Sequence, residues 1–164
     1  MSRVEELEKQ IRELENKTNE LKKELECEEQ KEVKCPFKYG DKYFLLPSDG
    51  MVSESIWGDY KFDNRALLQG NIFKTKEEAE LEHDKRDLLT RFRQFRDQCN
   101  GDWKPELDKV KHYICLKCET FRLSVTSSIY WASFNMFGYF KNKEDAERAI
   151  ELFGDEIKRL FVEG

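Results

Sequence analysis

The sequence predicts an α+β protein in which an N-terminal coiled-coil helix precedes two repeated antiparallel β-meander-plus-helix units. Residues 1–32 are almost entirely charged or aliphatic, whereas most aromatic residues follow residue 36. Residues 73–80 read FKTKEEAE, and residues 140–147 read FKNKEDAE, with six of eight positions identical. Each copy follows a glycine-containing strand end and opens a helix. Such a repeat indicates a repeated structural element rather than an activity.

The N-terminal region, residues 1–32, carries the heptad pattern of a coiled coil. Apolar residues recur at alternating steps of three and four, with Val or Ile favoured at a positions and Leu at every d position. The seam consists of Val4, Leu7, Ile11, Leu14, Thr18, Leu21 and Leu25. A single helix packed on its own domain is the alternative, but such a helix usually has a wider apolar face. We therefore expect a homodimer.

The direction of the two helices stays open at the sequence level. In a parallel pair Arg3 would meet Glu8 of the partner favourably, whereas Lys17 would face Lys22. Polar Thr18 at an a position weakens the seam.

The first β-meander/helix unit is assigned to residues 36–98. Strands are predicted at 41–46, 51–57 and 71–73, with a turn at 47–50, and the form of residues 63–68 is left open. Thr75 and Glu78 have the spacing of a capping box, which predicts a helix that continues to about Gln98.

The second unit is assigned to residues 99–164. Strands are predicted at 111–116, 120–126, 128–134 and 137–140. Phe121, Leu123 and Val125 alternate with polar residues, which is typical of a sheet with one solvated face. Asn142 is expected to cap a final helix whose apolar face contains Ala146, Ala149, Ile150, Phe153, Ile157, Leu160 and Phe161. Gly154 is expected to end or bend that helix, because glycine is unfavourable in a helix interior.

Composition and cysteine usage indicate a cytosolic protein with reduced thiols. The net charge is −5 at pH 7, and no apolar stretch or leader predicts membrane insertion or export. Cys115 and Cys118 have the spacing of half a zinc site, to which Cys99 or His112 could contribute. However, the sequence has no second CxxC pair, and strand residues three apart point to opposite faces. Half-buried structural cysteines are the preferred interpretation, and we expect neither a metal nor a cofactor.

Two groups of residues form the candidate binding surface. The first is the basic run Arg86, Arg91, Arg93 and Arg96, which could bind phosphates. The second is the aromatic set Tyr130, Trp131 and Phe134, part of which should face away from the helix. Both groups have structural alternatives: Asp84, Asp87 and Asp97 can pair with the arginines, and the aromatic residues can pack between the two units.

Several segments together resemble a family of small proteins from Firmicutes phages, prophages and other mobile elements. The resemblance covers roughly residues 36–164 and rests on residues 40–44, 70–80, 100–105, 137–141 and 144–150. It implies a phage or mobile-element origin and supplies no catalytic residues.

The expected function follows from this resemblance and from the lack of a catalytic motif in the sequence. We expect a non-enzymatic binding protein in the host cytoplasm that acts on a host protein, for example an anti-CRISPR-like inhibitor of host defence. The alternative is a nucleic-acid-binding accessory protein that uses the helix around residues 86–96.

Overall fold

The structure is a computed structural model that describes residues 3–31, 35–129 and 135–164, with side chains in the first range described for residues 3–25. The described chain is α+β and forms two units, Met1–Lys38 and Tyr39–Gly164. The first unit contains helix α1 (Arg3–Lys31), a continuous helix of 29 residues. This agrees with the helix predicted for residues 1–32.

The second unit begins with a small antiparallel sheet. Strand β1 (Lys42–Leu45) lies between β2 (Ser53–Ile56) and β3 (Ile72–Phe73), so the order is β2-β1-β3. The three strands fall within the predicted segments. Helix α2 (Lys61–Leu68) occupies the stretch whose form the sequence left open.

Helix α2 is anchored by Asp63, a carboxylate that is only 4% exposed. It accepts hydrogen bonds from the Tyr43 hydroxyl at 2.9 Å, the Gly58 amide at 2.9 Å and the Tyr60 amide at 3.2 Å. Burial alone would raise the pKa of Asp63, but these three donors outweigh burial and hold the pKa below its ordinary value. Trp57 packs edge-on against the Tyr43 ring with 6.2 Å between centroids, so the site is enclosed by aromatic side chains.

The second sheet pairs β4 (Lys111–Lys117) with β5 (Arg122–Ser128) as an antiparallel hairpin. Strand β5 starts two residues later than predicted. The reason is Phe121, which adopts a left-handed φ of 49° in the hairpin turn and is exposed rather than core-facing.

The last two strands predicted for this unit are 128–134 and 137–140. The prediction of a strand at 137–140 is wrong. Residues 136–137 form a turn and Gly138 has a φ of 72°, so that of these four residues Phe140 alone pairs, through a bridge to His112. Most of the predicted strand 128–134 falls on residues 130–134, which lie outside the described residues.

Helices α3 (Lys76–Asn100) and α4 (Lys143–Phe161) supply most of the core. Phe92 is fully buried, with ring centroids 4.8 Å from Phe137, 5.8 Å from Phe140 and 5.4 Å from Phe153. The fully buried members of the α3 and α4 core also include Leu88, Ala146 and Ala149. Helix α3 of the first segment therefore packs in one core with the second sheet and α4.

The two helix starts differ in their caps. The Thr75 side chain accepts the Glu78 amide at 3.2 Å, and the Glu78 carboxylate accepts the Thr75 amide at 3.3 Å, so the predicted capping box is present. Asn142 occupies the N-cap position, but its side chain donates to Asp145 at 3.0 Å and caps no backbone amide.

Helix α4 does not end at Gly154, a buried residue in its interior. A side-chain Cβ at Gly154 would lie 3.3 Å from Ile150 and 3.6 Å from Leu123 of β5. Gly154 therefore faces β5, at a distance where an added Cβ would make ordinary van der Waals contact with Leu123. Among the described residues, none of the helices combines the length and apolar content needed to cross a bilayer.

Replacing the Asp63 carboxylate should destabilise the fold in a pH-dependent way. Because its folded pKa is depressed, the carboxylate stabilises the protein above its unfolded pKa, and this stabilisation is lost as the pH falls through the folded value. We expect Asp63→Asn to lower the free energy of unfolding by about 1–3 kcal/mol at neutral pH. The difference from wild type should shrink as urea unfolding is repeated below about pH 4.

Asp102→Asn is the matched control, because it makes the same chemical change at an exposed loop position. A similar small effect of both substitutions at neutral pH would contradict the anchoring role of Asp63.

Candidate functional site

Helix α1 exposes its apolar seam along the length whose side chains are described. Every residue from 3 to 25 is exposed, and the six apolar seam residues are between 49% and 65% exposed. These are Val4, Leu7, Ile11, Leu14, Leu21 and Leu25. A contiguous exposed apolar stripe is typical of an interaction surface.

The hydroxyl group of Thr18, the remaining seam residue, has a hydrogen-bond acceptor within the helix. Its Oγ1 donates to the Leu14 carbonyl oxygen at 2.8 Å, one helical turn earlier. If this residue were buried in an interface, its hydroxyl donor would therefore keep its acceptor.

Three of the four arginines in the candidate binding surface are held by contacts within the chain. Arg86 donates to Glu82, to the Asn71 side chain and to the Gly70 carbonyl, each at 2.7 Å. It thereby fastens the turn before β3 to helix α3.

Arg91 and Arg96 connect α3 to residues of the second predicted unit, 99–164. Arg91 lies 2.7 Å from Glu156 of α4 and 3.3 Å from Asp87, and the hydrogen bond to Glu156 raises the pKa of Arg91. Arg96 pairs with Asp97 at 2.7 Å and donates to the Phe137 carbonyl at 3.2 Å.

Arg93 differs from these three residues. It is exposed and forms no ion pair within the part of the chain that the structure describes. The structure therefore does not bring the four arginines together as one open basic surface. The aromatic residues Tyr130, Trp131 and Phe134 lie outside the described residues, so their proposed role stays a prediction.

The CxxC segment is split by the hairpin turn. Cys115 lies in β4, half-buried, with its sulfur 2.9 Å from the Thr126 hydroxyl, whereas Cys118 is exposed in the turn. Within residues 3–31, 35–129 and 135–164, no group of three or more His, Cys, Asp or Glu side chains is arranged to hold a metal ion.

Sequence reasoning did not single out Lys111, which is 2% exposed. Its ammonium group donates to the Glu106 carbonyl at 3.1 Å and to the Ile129 carbonyl at 2.9 Å. Lys111 therefore ties the loop before β4 to the end of β5, which is a structural role. No local signal distinguishes this lysine from the exposed lysines around it.

Sequence reasoning also missed an exposed apolar group around the start of α2. Ile56, Tyr60 and Phe62 lie within seven residues of one another and are each more than 60% exposed. The Tyr60 ring lies over Gly58, where an added Cβ would overlap it. Apolar side chains of this size in one short segment are a candidate protein-binding surface.

Comparison of the chain with protein-family models, curated proteins and solved structures returned no match.

The arginine contacts predict that Arg86 contributes to stability and Arg93 does not. Arg86→Ala should lower the free energy of unfolding by about 1–2 kcal/mol, because three hydrogen bonds to the partly buried guanidinium group are lost. Arg93→Ala, made on the same helix, should change it by less than about 0.5 kcal/mol. Urea unfolding of both variants checks the difference, and equal effects would contradict the assigned roles.

Proposed function

We propose that this chain is a non-enzymatic binding protein of a phage or other mobile element, which dimerises through α1 and acts on a host protein. The observation that carries the proposal is the exposed seam of α1. Most helical stability in proteins comes from packing an apolar face, and burying the seam of this 29-residue helix against a second helix would supply that packing. The narrow a/d stripe suits another copy of the same helix.

We propose further that residues 36–98 and 99–164 are two copies of one structural unit. In the first, β1 pairs with both β2 and β3; in the second, β4 pairs with β5 and with Phe140. The helix that follows opens with Lys76–Glu80 in one copy and Lys143–Glu147 in the other, each ion pair at 3.0 Å. The matched strand order and ion pairs support a duplication.

The host-protein partner is proposed to bind at Ile56, Tyr60 and Phe62. These side chains are exposed although the residues beside them, such as Trp57 and Asp63, are buried. Large exposed apolar and aromatic side chains are the residue types that dominate protein–protein binding energy. The resemblance to phage and mobile-element proteins supports a host target, and inhibition of a host defence protein is the specific activity proposed.

The nucleic-acid alternative is less well supported. Arg86, Arg91 and Arg96 already donate to carboxylates and backbone carbonyls, so phosphates would have to compete with these partners. The net charge of −5 also opposes nonspecific binding to nucleic acid.

Placing a charge in the seam should abolish dimerisation. We expect Leu14→Asp in the full chain to be monomeric and to lose part of the helical circular dichroism signal, because α1 would lose the packing of its apolar face. Asn16→Asp, at the exposed f position opposite the seam, should remain dimeric with unchanged ellipticity. A dimeric Leu14→Asp variant would exclude the seam as the interface.

A second experiment tests the partner surface. Full-length wild type should recover one stoichiometric protein from a host lysate, and Phe62→Glu should lose it. Leu152→Glu on α4 is the control, because both side chains are 61% exposed and neither change disturbs the core. Equal recovery by both variants would move the binding site elsewhere, and recovery of nothing by wild type would oppose the proposed function.

A further inference from the structure

We propose that the host-protein partner adds an extended segment of its own chain to the outer edge of β2, as a further strand of the first sheet. The inference rests on the proposed function, because it names how the partner is recognised beside Ile56, Tyr60 and Phe62. It follows from the position of β2 in the sheet, from the direction of its backbone groups and from the side chains beside it.

Strand β2 lies at the edge of its sheet. In the order β2-β1-β3, β2 pairs with β1 on one side, and no described strand pairs with it on the other. The opposite edge is shorter, because β3 has two residues, and Arg86 of α3 donates to the Gly70 carbonyl just before it. The β2 sequence SESI contains neither proline nor lysine, which commonly block an edge. The outer edge of β2 is therefore open to strand pairing.

The hydrogen bond of Trp57 shows which backbone groups of β2 point outwards. The Trp57 amide, directly after β2, donates to the Asp41 carbonyl at 2.8 Å, so Trp57 faces β1. In an antiparallel ladder, opposite residues alternate between hydrogen-bonded and non-hydrogen-bonded pairs. Ser55 therefore also faces β1, whereas the amides and carbonyls of Glu54 and Ile56 point away from it. These two residues offer two donors and two acceptors along the free edge.

The other side of β1 gives the same assignment. Leu46, directly after β1, donates its amide to the Asn71 carbonyl at 2.9 Å and so faces β3. By the same alternation Tyr43 faces β2, where it lies opposite Ser55.

The side chains along this edge define the occupant. A strand paired with β2 would place the side chain opposite Ile56 on the same face of the sheet as Ile56, which is exposed. Tyr60 and Phe62 follow within six residues and are exposed as well. Glu54 on that face is already paired with Lys42 of β1 at 2.7 Å. The occupant is therefore an extended segment with an apolar residue opposite Ile56, bound through its main chain and selected by that residue.

The first test removes the outward-facing amide proton of Glu54 in the full chain. Proline has no amide proton and is tolerated on an edge strand where that group faces solvent. The probe is the protein that wild type recovers from the host lysate, in purified form. Glu54→Pro should raise its dissociation constant at least about tenfold. Glu54→Ala, the matched control, loses the same side chain but keeps the amide, and its constant should stay within about threefold of wild type, because the ion pair with Lys42 is exposed.

Two results of this test would overturn strand addition. One is binding of Glu54→Pro at wild-type strength. The other is an equal loss in both variants, since the Glu54 side chain rather than its amide would then make the contact.

The second test follows amide hydrogen exchange in the wild-type protein and needs no variant. In the free protein the amides of Glu54 and Ile56 should exchange faster than the amide of Ser55, which faces β1. The bound probe should slow exchange at Glu54 and Ile56 at least about tenfold. Unchanged exchange at both amides in the complex would overturn the inference. Slow exchange at both in the free protein would also overturn it, because a second copy of the chain would then cover the edge.

The outcomes distinguish this inference from the proposed function. A complex that is lost in Phe62→Glu but intact in Glu54→Pro keeps the proposed partner surface and overturns strand addition alone. If wild type recovers no protein, the proposed function and the inference both fall.

Discussion

The burial of Phe92 is the interaction on which the packing of α3 against α4 and the second sheet depends. Its ring contacts Phe137, Phe140 and Phe153, which come from the segment that follows α3 and from α4. Helix α3 also packs on β1 and β3 of the first sheet. Helix α3 therefore packs against elements of both segments, and the arginines on its flanks hold the neighbouring turns and α4 in place.

The repeated run FKxKE(E/D)AE fits this arrangement as a structural element. Ala79 and Ala146 are fully buried, and the charged residues beside them form helix-opening ion pairs. The copies differ where their surroundings differ: Thr75 completes a capping box, whereas Asn142 bonds to the Asp145 side chain. Binding activity is therefore better sought on exposed surfaces, namely the α1 seam and the side chains around α2.

Local signals predicted much of the α+β fold, and tertiary contacts decided the rest. The capping box at Thr75 is readable from four consecutive residues. Helix α2 was not, because Asp63 finds its Tyr43 partner 20 positions earlier. The late start of β5 depends on the left-handed backbone conformation of Phe121, which the alternation of apolar and polar residues does not reveal. The sequence suggested an open arginine surface because Glu156, the partner of Arg91, lies 65 residues further along the chain.

The central claim is that the α1 seam is buried between two chains. The most direct test is the mass of the full-length wild-type protein in solution, measured by sedimentation equilibrium at micromolar concentration. The account predicts twice the 19.7 kDa of one chain. A mass of one chain throughout would contradict it.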